Sequence, residues 1–146
     1  MHILEVKDKK TSNKFIALPR HLYKNDPHFI CPLDNDLKGI FDPKLNNFHS
    51  HGVCKRWITK NNSGQTTGRI AAFINYKKNK NSDFITGGIG FFECIDDEKT
   101  AFLLFDTAKQ WLQQNNAKAI DAPVNFGEND KYWGLLVEAL WHQAWV

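Results

Sequence analysis

No run of about twenty apolar residues occurs in this 146-residue chain, so the sequence offers no membrane-spanning helix. Cysteine is scarce. Cys31, Cys54 and Cys94 are odd in number, widely spaced and form no Cys-x-x-Cys pair, which points to a reduced, cytoplasmic setting. Met1 leads directly into an alternating, strand-like run, with no apolar signal core behind it. Internal repeats and low-complexity tracts are also missing. Lysines are scattered rather than striped, so no nucleic-acid groove is indicated.

Large apolar side chains are plentiful. Eleven Phe and five Trp supply buried surface and argue against disorder. An apolar fraction of 42% and a charged fraction of 24% are ordinary for a soluble globular chain, and the length fits one domain, residues 1–146. The net charge of +3 is uneven: residues 1–60 carry 11 Lys/Arg against 6 Asp/Glu, whereas residues 84–146 carry 4 against 9. Such asymmetry suits an anionic ligand or the pairing of two like chains, and equally a solvated surface.

Residues 2–7 read as a first strand, and Thr11 or Ser12 as the cap of a helix with Phe15, Leu18, Leu22 and Tyr23 on one face. Pro19 is expected to end one helical piece and open a second. Asp34 or Asn35 is the expected cap of a short helix through Leu37, Ile40 and Phe41. Val53–Thr59 and about Thr67–Tyr76 read as strands joined at Asn61-Asn62-Ser63-Gly64, a hairpin signal. The run Ile70-Ala71-Ala72-Phe73-Ile74 fits a strand covered on both faces. Ile85–Ile95 is the next strand, and its glycines at 87, 88 and 90 mark a bulge or a close backbone approach. Glu98–Asn116 is an amphipathic helix with an apolar stripe of Ala101, Leu104, Phe105, Ala108, Trp111 and Leu112. Lys118–Ala122 is a short strand. Asn129 or Asp130 begins a last helix bearing Trp133, Leu136, Val137, Leu140 and Trp141. The order of elements implies an α/β or α+β sheet with helices on both faces.

That order resembles the GCN5-related N-acetyltransferase (GNAT) fold. The chain also looks like the amino-terminal part of an uncharacterised acetyltransferase-like group of Bacteroidetes-type bacteria. The residues carrying this likeness are Leu22-Tyr23-Lys24-Asn25-Asp26-Pro27, Gly68-Arg69-Ile70-Ala71-Ala72, Gly90-Phe91-Phe92-Glu93-Cys94-Ile95-Asp96-Asp97, Pro123-Val124-Asn125-Phe126-Gly127 and Tyr132-Trp133-Gly134-Leu135-Leu136-Val137-Glu138. The resemblance implies an acyl-CoA N-acyltransferase-like mixed sheet flanked by helices, with the carboxyl-terminal strands of that fold missing. It implies acetyl-CoA or another acyl-CoA as co-substrate, with the strand Phe92 to Ile95 pairing its pantetheine. Phe92, Cys94, Ile95 and Asn125 are thereby candidate coenzyme contacts. The superfamily turn Gln/Arg-x-x-Gly-x-Gly/Ala, which holds the pyrophosphate, has no counterpart, because Asp96 to Ala101 contains no glycine.

Five constellations carry chemistry or its bland alternative. Asp96-Asp97-Glu98 reads as a helix end supplying its own anions rather than as a phosphate cradle, unless Lys99 or Arg69 reaches the turn. By the resemblance, Glu93 is the base that deprotonates an amine and Tyr132 the acid that protonates the leaving thiolate; otherwise they are a salt-bridged Glu and a packing Tyr. Strict alternation puts Glu93 on one face with Ile89, Phe91 and Ile95, and Cys94 with Phe92 on the other, where Cys94 reads as a buried structural thiol. His49, His51 and Cys54, placed at a strand start, have the makings of a metal site, but a solvated strand is the preferred reading and no metal is expected. Trp141 and Trp145, four apart, either invite a partner or fold back.

Two functions stand: acyl-CoA-dependent N-acyl transfer to a small-molecule or peptide amine, or a non-catalytic interaction domain on a degenerate acetyltransferase scaffold, dimeric through its open carboxyl-terminal edge. Neither a nucleic acid nor a membrane is expected as partner.

Overall fold

A computed structural model describes residues 1–127. Five strands form one sheet in the order β1-β2-β3-β4-β5, with β1 at His2–Glu5, β2 at Gly52–Lys60, β3 at Thr66–Asn75, β4 at Ile85–Cys94 and β5 at Ala117–Asp121. The first four are antiparallel neighbours. β5 lies parallel to β4, because helix α3 (Glu98–Gln114) carries the chain back across the sheet. Helices α1 (Lys9–Leu22) and α2 (Asp34–Ile40) cover the other face. This is the mixed sheet flanked by helices expected from the sequence.

Alternation in β2 and β3 sorts the core. Trp57, Ile70, Ala72 and Ile74 pack with Leu104, Ala108 and Leu112 of α3. Ile58 and Ala71 pack with Phe15, Ile16 and Leu37 on the α1/α2 side. All five residues of the apolar run in β3 are buried, so that strand is covered on both faces as its composition predicts. The β2–β3 turn closes through Gly64 at φ 81° and a Gly64 N–H donated to the Asn61 carbonyl.

Local expectations fail where side chains outrank propensity. Helix α1 begins one turn earlier than expected: Asp8 is the N-cap, accepting from the Thr11 N–H at 2.7 Å while the Thr11 hydroxyl oxygen accepts from the Asp8 N–H. Pro19 does not divide the helix. It removes one N–H and leaves the Phe15 carbonyl without its intrahelical donor, and the Arg69 guanidinium supplies that donor at 2.9 Å. Helix α2 starts after Leu33 with no side-chain cap, so neither Asp34 nor Asn35 caps it. His49 lies in a 3-10 turn, Asn47–Ser50, and not on a strand.

Strand β4 is where the sheet departs from regularity. Ala71 pairs with Gly90 and Arg69 with Glu93, so β4 spends one more residue than β3 between the same two rungs. Phe91 sits at the bulge with φ 57°, a left-handed value that bulky residues rarely adopt. Its ring is held by Phe41, 5.0 Å between centroids, and by Phe15 at 6.4 Å. Below the bulge β4 pairs with β5 only as far as Gly88 with Asp121. The chain then turns out of β5, and Val124 N–H donates to the Ile89 carbonyl at 3.0 Å. Above that point β4 has no strand neighbour on its β5 side among the described residues.

The crossing at Val124 needs a glycine beneath it. A Cβ added at Gly90 would lie 2.0 Å from the Val124 carbonyl oxygen, a backbone atom that cannot swing aside. We expect Gly90→Ala to destabilise the fold by about 2–3 kcal/mol in chemical denaturation, because the added methyl overpacks a backbone contact.

Candidate active site

The bulge decides which way Glu93 points. Ile89 belongs to the α3-side core, whereas Phe91 packs on the α1/α2 side, and Glu93 follows Phe91 to that side. Strict alternation placed Ile89 and Glu93 on one face; the extra residue puts them on opposite faces. Phe92 and Cys94 do share a face as expected, packed against the α3-side core.

Two side chains from distant parts of the chain meet Glu93. The Tyr23 hydroxyl, at the carboxyl-terminal end of α1, donates a hydrogen bond to Glu93 Oε2. Arg69 Nη2, from β3, lies 3.9 Å from Glu93 Oε1. Arg69 is 5% exposed, so its charge needs an anion and acceptors close at hand. The Phe15 carbonyl is one acceptor, and the guanidinium carbon also sits 5.1 Å from the Phe15 ring centroid. The Glu93 side chain keeps 24% of its surface in water, so a solute can reach it. Burial first, then the Glu93 carboxylate, pushes the Tyr23 phenol well above the ordinary tyrosine range, so Tyr23 stays a donor.

Neither Tyr23 nor Arg69 stood out in the sequence as a partner of Glu93. The one local signal was an arginine inside a strand that is otherwise buried and apolar, since a guanidinium there demands a carboxylate. Tyr23 gave no comparable signal, as it reads as part of the apolar face of α1.

The other candidates fall in separate places. Cys94 Sγ is pushed up by burial first, and then by Asp97, Glu93 and Asp96, which disfavours a thiolate. Phe92 stacks on Phe105 of α3 at 4.4 Å. Ile95 is exposed, and its N–H donates to the Thr67 carbonyl. Asn125 follows Val124 in the crossing segment and lines a cavity of about 440 Å3 with Phe73, Lys78, Gly88 and Asp121. That cavity sits at the closed end of the β4–β5 pair, away from Glu93. Tyr132, the Trp141/Trp145 pair and the expected last helix lie outside the described residues.

At the start of α3, Asp97 is the N-cap, accepting from the Thr100 N–H at 2.9 Å and from the Thr100 hydroxyl at 2.6 Å. Those bonds hold its carboxyl below the usual carboxylate range. Asp96 and Glu98 stand exposed beside it. Arg69 is engaged with Phe15 and Glu93, on the sheet face away from α3; Lys99 is at the turn and lines a hollow of about 300 Å3 with Thr67, Ile95 and Asp97.

The histidines have other partners. His49 Nε2 is 3.1 Å from the Ile40 carbonyl oxygen and His51 Nδ1 is 3.2 Å from Asn75 Oδ1. Burial pushes the Cys54 thiol up to about 12. Among the described residues no three His, Cys, Asp or Glu side chains converge as a metal site would require, and no helix is long and apolar enough to cross a membrane.

A bulged fourth strand, a parallel fifth strand that leaves it part-way and a helix between them define the GNAT-like acyl-CoA N-acyltransferase fold. Comparison with solved structures agrees: a predicted acetyltransferase with acetyl-CoA from Clostridium acetobutylicum superposes with a TM-score of 0.58 over 92% of this chain and 95% of that one, at 17% identity. No protein-family model matches the chain. Two curated proteins are similar in sequence. Protein YghO of Escherichia coli is 33% identical over 131 residues, 90% of this chain and 33% of that protein. Bacterial ceramide synthase of Caulobacter vibrioides is 29% identical over 138 residues, 94% of this chain and 35% of that protein. The chain thus spans about a third of the length of these relatives.

The Asp97 cap has a measurable signature. Its depressed carboxyl adds stability that is present above the unfolded-state value and is lost as pH falls through the folded-state value. The melting-temperature difference between the native chain and Asp97→Ala is therefore expected at neutral pH and expected to close in acid, below the ordinary aspartate range. A difference that persists at low pH would count against the cap.

Proposed function

We propose that the chain carries acyl-CoA-dependent N-acyl transfer, with Glu93 as general base. The observation that carries this reading is the bulge in β4, which aims a hydrogen-bonded carboxylate beside a strand edge that no other strand pairs among the described residues. The β5-side edge of the strand from Phe92 to Ile95 suits the amide groups of a pantetheine arm, which can pair with it as a strand would. Glu93 would take a proton from the acceptor amine as its nitrogen attacks the thioester carbonyl. The carbon–sulfur bond then breaks and the thiolate needs a proton, the role proposed for Tyr132. Phe92, Cys94, Ile95 and Asn125 are the proposed coenzyme contacts.

The Caulobacter relative's name supports a choice of acceptor. A ceramide is a long-chain amino alcohol acylated on nitrogen, so the proposed acceptor here is an amine carried on an alkyl chain, and the proposed donor is a fatty acyl-CoA as well as acetyl-CoA.

One observation favours a second reading, a non-catalytic domain on this scaffold. Asp97 occupies the Thr100 N–H, and three acidic side chains crowd the helix end where a pyrophosphate would seek N–H donors. Calorimetry and thermal shift with acetyl-CoA and a long-chain acyl-CoA decide between the two. The transferase reading expects saturable binding that stabilises the fold, by about 2.7 kcal/mol at a hundred times Kd. No stabilisation by either ligand at millimolar concentration would leave the non-catalytic reading. If the ligand binds, Glu93→Gln is expected to keep binding and lose turnover by about 100-fold or more. Asp97→Asn removes one charge at the helix end and is expected to tighten acyl-CoA binding several-fold, most at low salt.

A further inference from the structure

We propose that Tyr23 is a positioning residue for this base: its hydroxyl fixes one carboxylate oxygen of Glu93 while Arg69 attracts the other, so the carboxylate meets an incoming amine in a single orientation. The inference rests on reading Glu93 as the base.

The geometry separates the two partners. Arg69 is 3.9 Å from Glu93 Oε1, at the outer limit of an ion pair, and already donates to the Phe15 carbonyl. Tyr23 makes the directional hydrogen bond, to Oε2. Arg69 thus draws on one carboxylate oxygen from the limit of an ion pair, and Tyr23 sets the rotation of the group through the other. Tyr23 is well placed to do so. It is the C-cap of α1, its own N–H donates to the Pro19 carbonyl at 2.9 Å, and its ring lies against Phe29 with centroids 4.9 Å apart. The charged and titratable groups acting on it are Glu93 and Cys94 from β4 and Arg69 from β3. The phenol's raised titration means the hydroxyl still donates wherever Glu93 is ionised. A link of 70 residues in sequence therefore joins the end of α1 to the bulged strand.

Two measurements on the full chain test it. The first follows the Cζ resonances of labelled tyrosine with pH, Tyr23 being assigned by its loss in Tyr23→Phe. In the native chain Tyr23 is expected to titrate above the ordinary value of about 10, and in Glu93→Gln to move down towards it. The second compares turnover in Tyr23→Phe, which keeps the ring and its stacking on Phe29. Its kcat is expected to fall by about 10-fold or more, with KM for acyl-CoA unchanged. The acid-side limb of its kcat/KM profile is expected at higher pH, since a carboxylate that loses a donor protonates more readily. A Tyr23 titration indifferent to Glu93→Gln overturns the proposal, and so does an active Tyr23→Phe with an unmoved pH profile. If the native chain transfers no acyl group while Tyr23 still answers to Glu93→Gln, the base assignment fails and the positioning role falls with it. If Glu93→Gln is dead but Tyr23→Phe is fully active, the positioning role alone fails.

Discussion

The buried guanidinium of Arg69 is the constraint around which the sheet and α1 are arranged. A charge with 5% exposure is tolerated only where acceptors converge on it. The Phe15 carbonyl is one of them, and it is available because Pro19 supplies no N–H to bond it. The glutamate of β4 is another, and it reaches Arg69 because one extra residue in the strand turns it to that face. A proline in a helix and a bulge in a strand, each unfavourable alone, thus serve the same cation. Arg56 repeats the theme nearby, with its guanidinium over the Phe41 ring at 4.2 Å and burial lowering its affinity for a proton.

The same bulge couples fold to chemistry. Below it, Gly88 and Gly90 let the Val124 crossing approach β4 closely. Above it, the strand carries Glu93 and has no strand on its β5 side among the described residues. The strained Phe91 is the pivot, clamped between the rings of α1 and the segment after α2. Strain at a site is sustained only when the surroundings over-determine it, and here two aromatic contacts from separate elements do so.

Much of the scaffold is legible in the sequence because it follows from periodicity. The all-apolar core of β3, the stripe on α3 and the Asn61-Asn62-Ser63-Gly64 hairpin each announce their structure locally. Phe105 shows the limit of such patterns, being 37% exposed while stacking on Phe92 rather than entering the core. The candidate site is less legible because it is assembled from long-range contacts. The glycines of β4 signalled a bulge without its place, and a shift of one residue reversed the face assigned to Ile89 relative to Glu93. Tyr23 has no local mark at all, since its hydroxyl finds its acceptor 70 residues away. Asp97 was legible, since a carboxylate three residues before a threonine at a helix start is a cap by short-range geometry alone.

The upper edge of β4, unpaired by a strand on its β5 side among the described residues, bears on how the protein would behave in solution. A strand edge with unpaired amides is a template, and it accepts a ligand's amides or another copy's strand through the same hydrogen bonds. Ligand occupancy and self-association would then compete for one stretch of backbone. On the proposed reading, a bound acyl-CoA would guard the edge as well as react, and the concentration at which copies adhere would depend on how much of it is present.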